Sequence, residues 1–204
     1  LDVDVRRQVA FTAHRINIAV LLLPHMSNFT DFNALAEEPD VALRYVAAPE
    51  EATGADVILI PGTKTTLEDL TYLREKGFGP LVQGHVQRGG ELVGICGGFQ
   101  MLGRQIADPD AVESGGHGEG FGFLHLTTTL KRDKITEQVE AHALHICGTT
   151  VLPVQGYLIH MGRTDRHGHR PCFQLRGARE PSILGGGVAS QNDESLDGAV
   201  RDDG

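Results

Sequence analysis

The stretch Ile16-Asn-Ile-Ala-Val-Leu-Leu-Leu23 is apolar at nearly every position. A strand with one wet face alternates apolar and polar residues. A near-continuous apolar run of this length reads instead as a strand buried on both faces, at the heart of a parallel sheet. Three more strands are predicted in the first half: Val41–Ala47, Ala55–Ile60 (ended by Pro61-Gly62) and Glu91–Ile95. Helical patterns fall between them. Asp31–Glu38 is stopped by Pro39, Leu67–Lys76 is closed by Gly77, and Pro80–Arg88 is closed by Gly89-Gly90. A further helix is expected over Gly98–Ile106. Alternating strand and helix implies an α/β fold of the doubly wound, flavodoxin-like kind, a mostly parallel sheet flanked by helices. The second half differs. Phe121–Leu130, Glu140–Ile146, Gln155–Met161 and Cys172–Leu175 read as added antiparallel strands, extending the sheet or forming a layer near the site. Gly185–Gly187 and Asp202–Gly204 read as loops.

A length of 204 residues suits one domain with a sizeable core. The net charge of −9 would repel nucleic acid and anionic lipid, so neither is expected as a partner. No apolar run approaches the ~20 residues that span a bilayer. The polar start, Leu1–Arg15, has no secretory pattern and no initiator Met, and is expected to be a linker from a longer protein. Cys96, Cys147 and Cys172 are an odd, widely spaced set without CxxC spacing. They argue against a disulfide framework or zinc ribbon and for the reducing cytoplasm. No metal site is expected. His142 and His145, three apart in a predicted strand, would point to opposite faces.

The chemistry is concentrated in Glu91-Leu-Val-Gly-Ile-Cys-Gly-Gly-Phe-Gln-Met-Leu-Gly103. A strand runs into Gly94-Ile-Cys96-Gly-Gly98 and then a helix, the cysteine form of a nucleophile elbow. A nucleophile on so sharp a turn has a strained backbone, and side chains two residues either side would collide, hence the glycines. The turn puts the sulfur at a helix start, where the peptide dipoles are expected to lower its pKa. The Gly97 N–H would point at a developing oxyanion. Cys147 and Cys172 lack such a setting and read as structural. Pro61-Gly62-Thr-Lys-Thr-Thr66 follows a strand directly, and Gly62 could present a second oxyanion donor. It is not a P-loop, because the glycine and Gly-Lys-Ser/Thr spacing is missing. No ATP site is visible in the chain.

At these residues the sequence resembles the class I glutamine amidotransferases, and among them the glutaminase domains of the cobyric acid synthase family. Four stretches carry the likeness: Ser27–Asn33, Leu59–Thr66, Gly94–Gly103 and Gly156–Thr164. The resemblance implies residues 1–15 as a linker and 16–204 as the amidotransferase domain. It implies that Cys96 attacks the side-chain amide of L-glutamine, that Gly62 and Gly97 hold the oxyanion, and that Gln100 helps to bind glutamine. The ammonia would serve an N-terminal synthetase domain, where ATP and Mg are expected, for amidation of cobyrinic acid a,c-diamide carboxylates in cobalamin biosynthesis. No cofactor is implied for this domain.

Two departures stand out. Leu158 occupies a position where the family has Glu. The family's general-base His follows its Asp-Gly-Ala-Val segment in a Leu-His-Gly stretch, whereas Asp197-Gly-Ala-Val200 here is followed by Arg201–Gly204. Since a cysteine nucleophile needs a base, this chain is expected to be inactive or very slow. His160 could substitute but reads first as structural; His167 and His169 read as a solvated loop. Three alternatives stay open: an α/β-hydrolase-type cysteine enzyme, a non-catalytic docking domain, and a stand-alone glutaminase serving a cell-wall amidating ligase.

Overall fold

The computed structural model describes residues 9–143, 152–166, 173–175 and 186–189. Four parallel strands form the heart of the main sheet: β1 (Ile16–Leu21), β2 (Val41–Val46), β3 (Val57–Ile60) and β4 (Glu91–Ile95). The order is β4-β3-β1-β2, with β10 (Gly186–Ala189) antiparallel on the outer edge of β4. The apolar run behaves as its pattern demands: Ala19, Val20 and Leu21 have no solvent exposure. They pack into one core with Ile58, Ile60, Leu92 and the helices α2 (Thr66–Glu75), α3 (Phe78–Gln87) and α4 (Gly97–Leu102). Gly77, at φ +83, lets α2 pass directly into α3.

From β1 the chain goes to one side for β2, then returns past β1 to lay down β3 and β4. The loops after β1 and β3 therefore diverge at a topological switch point. In open α/β sheets ligands bind in the crevice at the carboxyl ends of strands there.

Several sequence expectations change in detail. Asp31–Glu38 is a 3-10 turn, Phe29–Phe32, followed by a short α1 (Asn33–Glu37). The elbow helix stops at Leu102 instead of Ile106, and Gln105–Asp108 is a strand, β5. The cause is tertiary. Phe121, Gly122 and Leu124 N–H groups reach the carbonyls of Met101, Gly103 and Leu102 at 2.7–2.9 Å, satisfying the end of the helix. For the same reason the strand expected from Phe121 begins only at Leu126. Gly186 and Gly187 lie in a strand and not a loop, because the open edge of β4 offers a row of hydrogen-bonding groups; Gly187 pairs with Gly94.

The second-half strands form a separate sheet in the order β6-β5-β7-β8. It contains β6 (Gly116–Glu119), β7 (Leu126–Ala143) and β8 (Leu152–Arg166), with β9 (Phe173–Leu175) also paired to β7. β6, β8 and β9 are antiparallel to their neighbours, and β5 runs parallel to β7. Cys147, Cys172, His145, His167, His169, Asp197–Val200 and Asp202–Gly204 lie outside the described residues, as do the side chains of Leu158 and His160. Among the described residues no helix is long and apolar enough to cross a membrane.

Candidate active site

Cys96 joins β4 to α4 with φ +52 and ψ −112, a left-handed conformation that costs a non-glycine residue about 1–3 kcal/mol. The glycines around it explain how the strain is held. A Cβ on Gly94 would lie 2.7 Å from the carbonyl carbon and oxygen of Gly98. A Cβ on Gly98 would lie 2.1 Å from the Ile60 carbonyl oxygen. The flanking glycines thus touch one another and the end of β3, and no side chain fits between.

The loop after β3 closes on the cysteine. A Cβ on Gly62 would sit 3.4 Å from Cys96 Cβ, and one on Gly97 would meet Thr63 Cγ2 at 2.8 Å and Thr66 Oγ1 at 3.2 Å. Gln100, one turn into α4, is buried, with its Oε1 3.4 Å from Thr66 Oγ1. The four residues singled out from the sequence, Cys96, Gly62, Gly97 and Gln100, are therefore gathered around one turn.

The loops after β1 and β3 are stitched together. Ser27 N–H donates to Gly62 O at 2.9 Å, and Lys64 N–H to His25 O at 3.1 Å. Asp69, wholly buried on α2, accepts from the Thr63 hydroxyl and the His25 N–H, and pairs with His25 Nδ1 at 2.8 Å. One carboxylate thus ties both loops to the helix behind them. The Ser27–Asn33 stretch forms the next wall. Its Asn28 side chain accepts from the Thr30 hydroxyl at 2.8 Å and donates to Asp31, and Tyr45 OH donates to Phe29 O at 2.8 Å.

The thiol departs from the sequence expectation. Burial pushes the Cys96 pKa above the ordinary thiol value. A hydrogen bond from Gly97 N–H works the other way, but the charges of Glu113 and Asp31 add to the rise. Burial of the thiol is the largest influence, and the start of a six-residue helix does not offset it, while the charges of Glu113 and Asp31 add to it. Among the described residues no basic side chain is paired with it.

Sequence reading missed Asp31, although it lies in a motif stretch, and missed Glu113 altogether. Glu113 is half-buried and accepts from both the Thr66 N–H and the Thr66 hydroxyl. Nothing local marks it, because its partner is 47 residues away in sequence. No group of three or more His, Cys, Asp or Glu among the described residues is placed to hold a metal ion.

The strained cysteine after β4 is thus backed by the Pro-Gly loop after β3. Two solved structures are similar in fold: PurLQS from Thermotoga maritima (TM-score 0.61, 14% identity, 84% of this chain and 79% of that one) and a glutamine amidotransferase (TM-score 0.56, 17% identity, 78% and 79%). The sequence fixes the relationship more closely. The CobB/CobQ-like glutamine amidotransferase domain matches residues 17–203, and the chain belongs to that family. Cobyric acid synthase of Citrobacter koseri is 47% identical over 197 residues, covering 93% of this chain and 36% of the relative. The Vibrio campbellii enzyme is 42% identical over 170 residues (83% and 35%), and the Salmonella gallinarum enzyme 51% over 156 (73% and 30%). The chain spans about a third of the length of these curated relatives.

Proposed function

We propose that this chain is the glutaminase unit of a cobyric acid synthase, generating ammonia for amidation of cobyrinic acid a,c-diamide carboxylates by an ATP- and Mg-using synthetase region linked through residues 1–15. The observation that carries the reading is Cys96, held at positive φ with the Gly97 N–H at its sulfur and Gly62 against its Cβ. The 42–51% identity to cobyric acid synthases favours this reading over a cell-wall amidating ligase.

In this mechanism the Cys96 proton passes to a base and the thiolate adds to the glutamine side-chain carbonyl. The new C–S bond places negative charge on the carbonyl oxygen, which the Gly62 and Gly97 N–H groups receive. Collapse breaks the C–N bond; the nitrogen takes a proton and leaves as ammonia. Water then hydrolyses the glutamyl thioester, regenerating the thiol and releasing glutamate. Gln100 positions the substrate. With the thiol pKa raised by burial, the step depends on a base that takes the Cys96 proton.

Glutamate release from glutamine by the full-length protein and by Cys96→Ser tests this. Loss of release in the variant is expected; equal rates remove Cys96 from the mechanism. In residues 1–204 alone, a glutamine-mimicking electrophile should label Cys96 and leave Cys147 and Cys172 unlabelled.

A further inference from the structure

Between β5 and β6 the chain makes an irregular loop, Pro109–Gly115, held far more firmly than a surface connection requires. The Asp108 carboxylate, 1% exposed, accepts Val112 N–H at 2.7 Å and the N–H groups of Glu113 and Gly115 at 2.9 Å. Burial raises its pKa, but these three bonds and the Arg132 charge outweigh burial and hold the carboxyl below its usual range. Ala111 is forced to φ +47, the only non-glycine besides Cys96 with positive φ among the described residues. Backbone strain persists only where the surroundings over-determine it, and it collects at functional sites.

What the loop presents is Glu113. Thr66 is the first residue of α2, so its N–H has no partner within the helix. Thr65, in the capping position, makes no side-chain cap, and its buried hydroxyl has no partner. Glu113 does that work from the second sheet. One carboxylate oxygen accepts the Thr66 N–H at 2.5 Å and the other lies 3.2 Å from the Thr66 hydroxyl. That hydroxyl lies over the elbow, 3.2 Å from the point where a Gly97 Cβ would stand and 3.4 Å from Gln100 Oε1. A carboxylate on a loop between two strands of the second sheet therefore holds the residue that joins the oxyanion loop, the elbow and Gln100.

We propose that Glu113 is a positioning residue for glutamine hydrolysis, clamping Thr66 so that the Pro61–Thr66 loop and Gln100 keep their places around Cys96. The inference rests on Cys96 being the nucleophile. A plain helix cap would contribute stability alone. A positioning residue also sets the rate once substrate is bound, because roughly 1 Å of misplacement at a reacting centre costs about 10²-fold.

The test measures kcat and KM for glutamate release by the full-length protein carrying Glu113→Ala, Glu113→Gln or Cys96→Ala. Glu113→Ala is expected to lower kcat roughly 10- to 100-fold with KM within about threefold, the signature of an interaction needed in the transition state. Glu113→Gln keeps an oxygen that accepts the Thr66 N–H and should restore kcat to within about threefold of the parent. It also removes a negative charge that disfavours the thiolate, so Cys96 should alkylate with a pH midpoint below the parent's. A Glu113→Ala protein with parental kcat and reduced stability would show a cap only and overturn the proposal. So would Glu113→Gln as slow as Glu113→Ala. If Glu113→Ala fails to fold, Thr66→Val carries the rate test: a fall in kcat supports the clamp, an unchanged kcat overturns it. Cys96→Ala separates the two ideas. Undiminished glutaminase there removes the underlying mechanism, whereas a silent Cys96→Ala beside a normal Glu113→Ala removes only the role of Glu113.

Discussion

Replacing Gly98 by alanine sets a helix-favouring change against a collision with the core. Gly98 is the second residue of α4, and alanine is usually better than glycine inside a helix by about 0.5–1 kcal/mol. Here the added methyl would lie 2.1 Å from Ile60 O and 2.7 Å from Pro61 O, where contacts under 3.0 Å are essentially never seen. Ile60 ends β3 with no solvent exposure, and Gly94 blocks the other side of the turn. Roughly 1 Å of backbone movement is needed, which sits near the 3 kcal/mol upper end of overpacking costs. Less the helix gain, the net loss is about 2 kcal/mol, a large share of a typical 5–15 kcal/mol stability. Gly79 in α3 is the control, since no atom lies within 4 Å of its added methyl. Gly79→Ala should leave stability unchanged or raise it by up to about 1 kcal/mol. Urea unfolding of the three proteins reads both values. In the full-length protein, Gly98→Ala should also lower glutaminase activity about 100-fold, because the displaced segment carries the nucleophile. If Gly98→Ala matched or exceeded the parent in stability, or shifted it as Gly79→Ala does, the account of the elbow glycines would be wrong.

Two other substitutions probe the strained and charged surroundings. Ala111→Gly relieves a left-handed alanine worth about 1–2 kcal/mol while adding about 0.4–1 kcal/mol of unfolded-state freedom, so a gain near 0.5–1 kcal/mol is expected in urea unfolding. A loss would show that the φ of Ala111 carries no strain. Asp31→Asn removes one of the two negative charges that disfavour the Cys96 thiolate, so ionisation should need less alkaline conditions. Peptide-mapped alkylation at Cys96 across pH should show a parental midpoint above that of an ordinary thiol and a lower one in the variant. A midpoint that stays put or climbs would contradict the electrostatic picture.

The local sequence was enough for features whose cause is local. Near-continuous apolarity in Ile16–Leu21 placed β1 between two neighbours, because a strand that is apolar on both faces has nowhere else to go. The Gly-x-Cys-Gly-Gly pattern announced the elbow, since the turn excludes side chains at Gly94 and Gly98 on steric grounds alone. Gly62 is legible in the Pro-Gly turn directly after a strand, and Gln100 in the family resemblance; both lie beside the elbow. Where partners are distant in sequence, only the tertiary structure decided. The elbow helix ends at Leu102 because Phe121–Leu124 delivers its N–H groups there. Gly186–Ala189 becomes a strand because β4 offers an open edge. Glu113 joins the site because Asp108 folds the loop that carries it. The thiol's acid–base character belongs to this second group. A peptide dipole can be read along one segment, but burial and the charges of Asp31 and Glu113 arise only when separate parts of the chain meet.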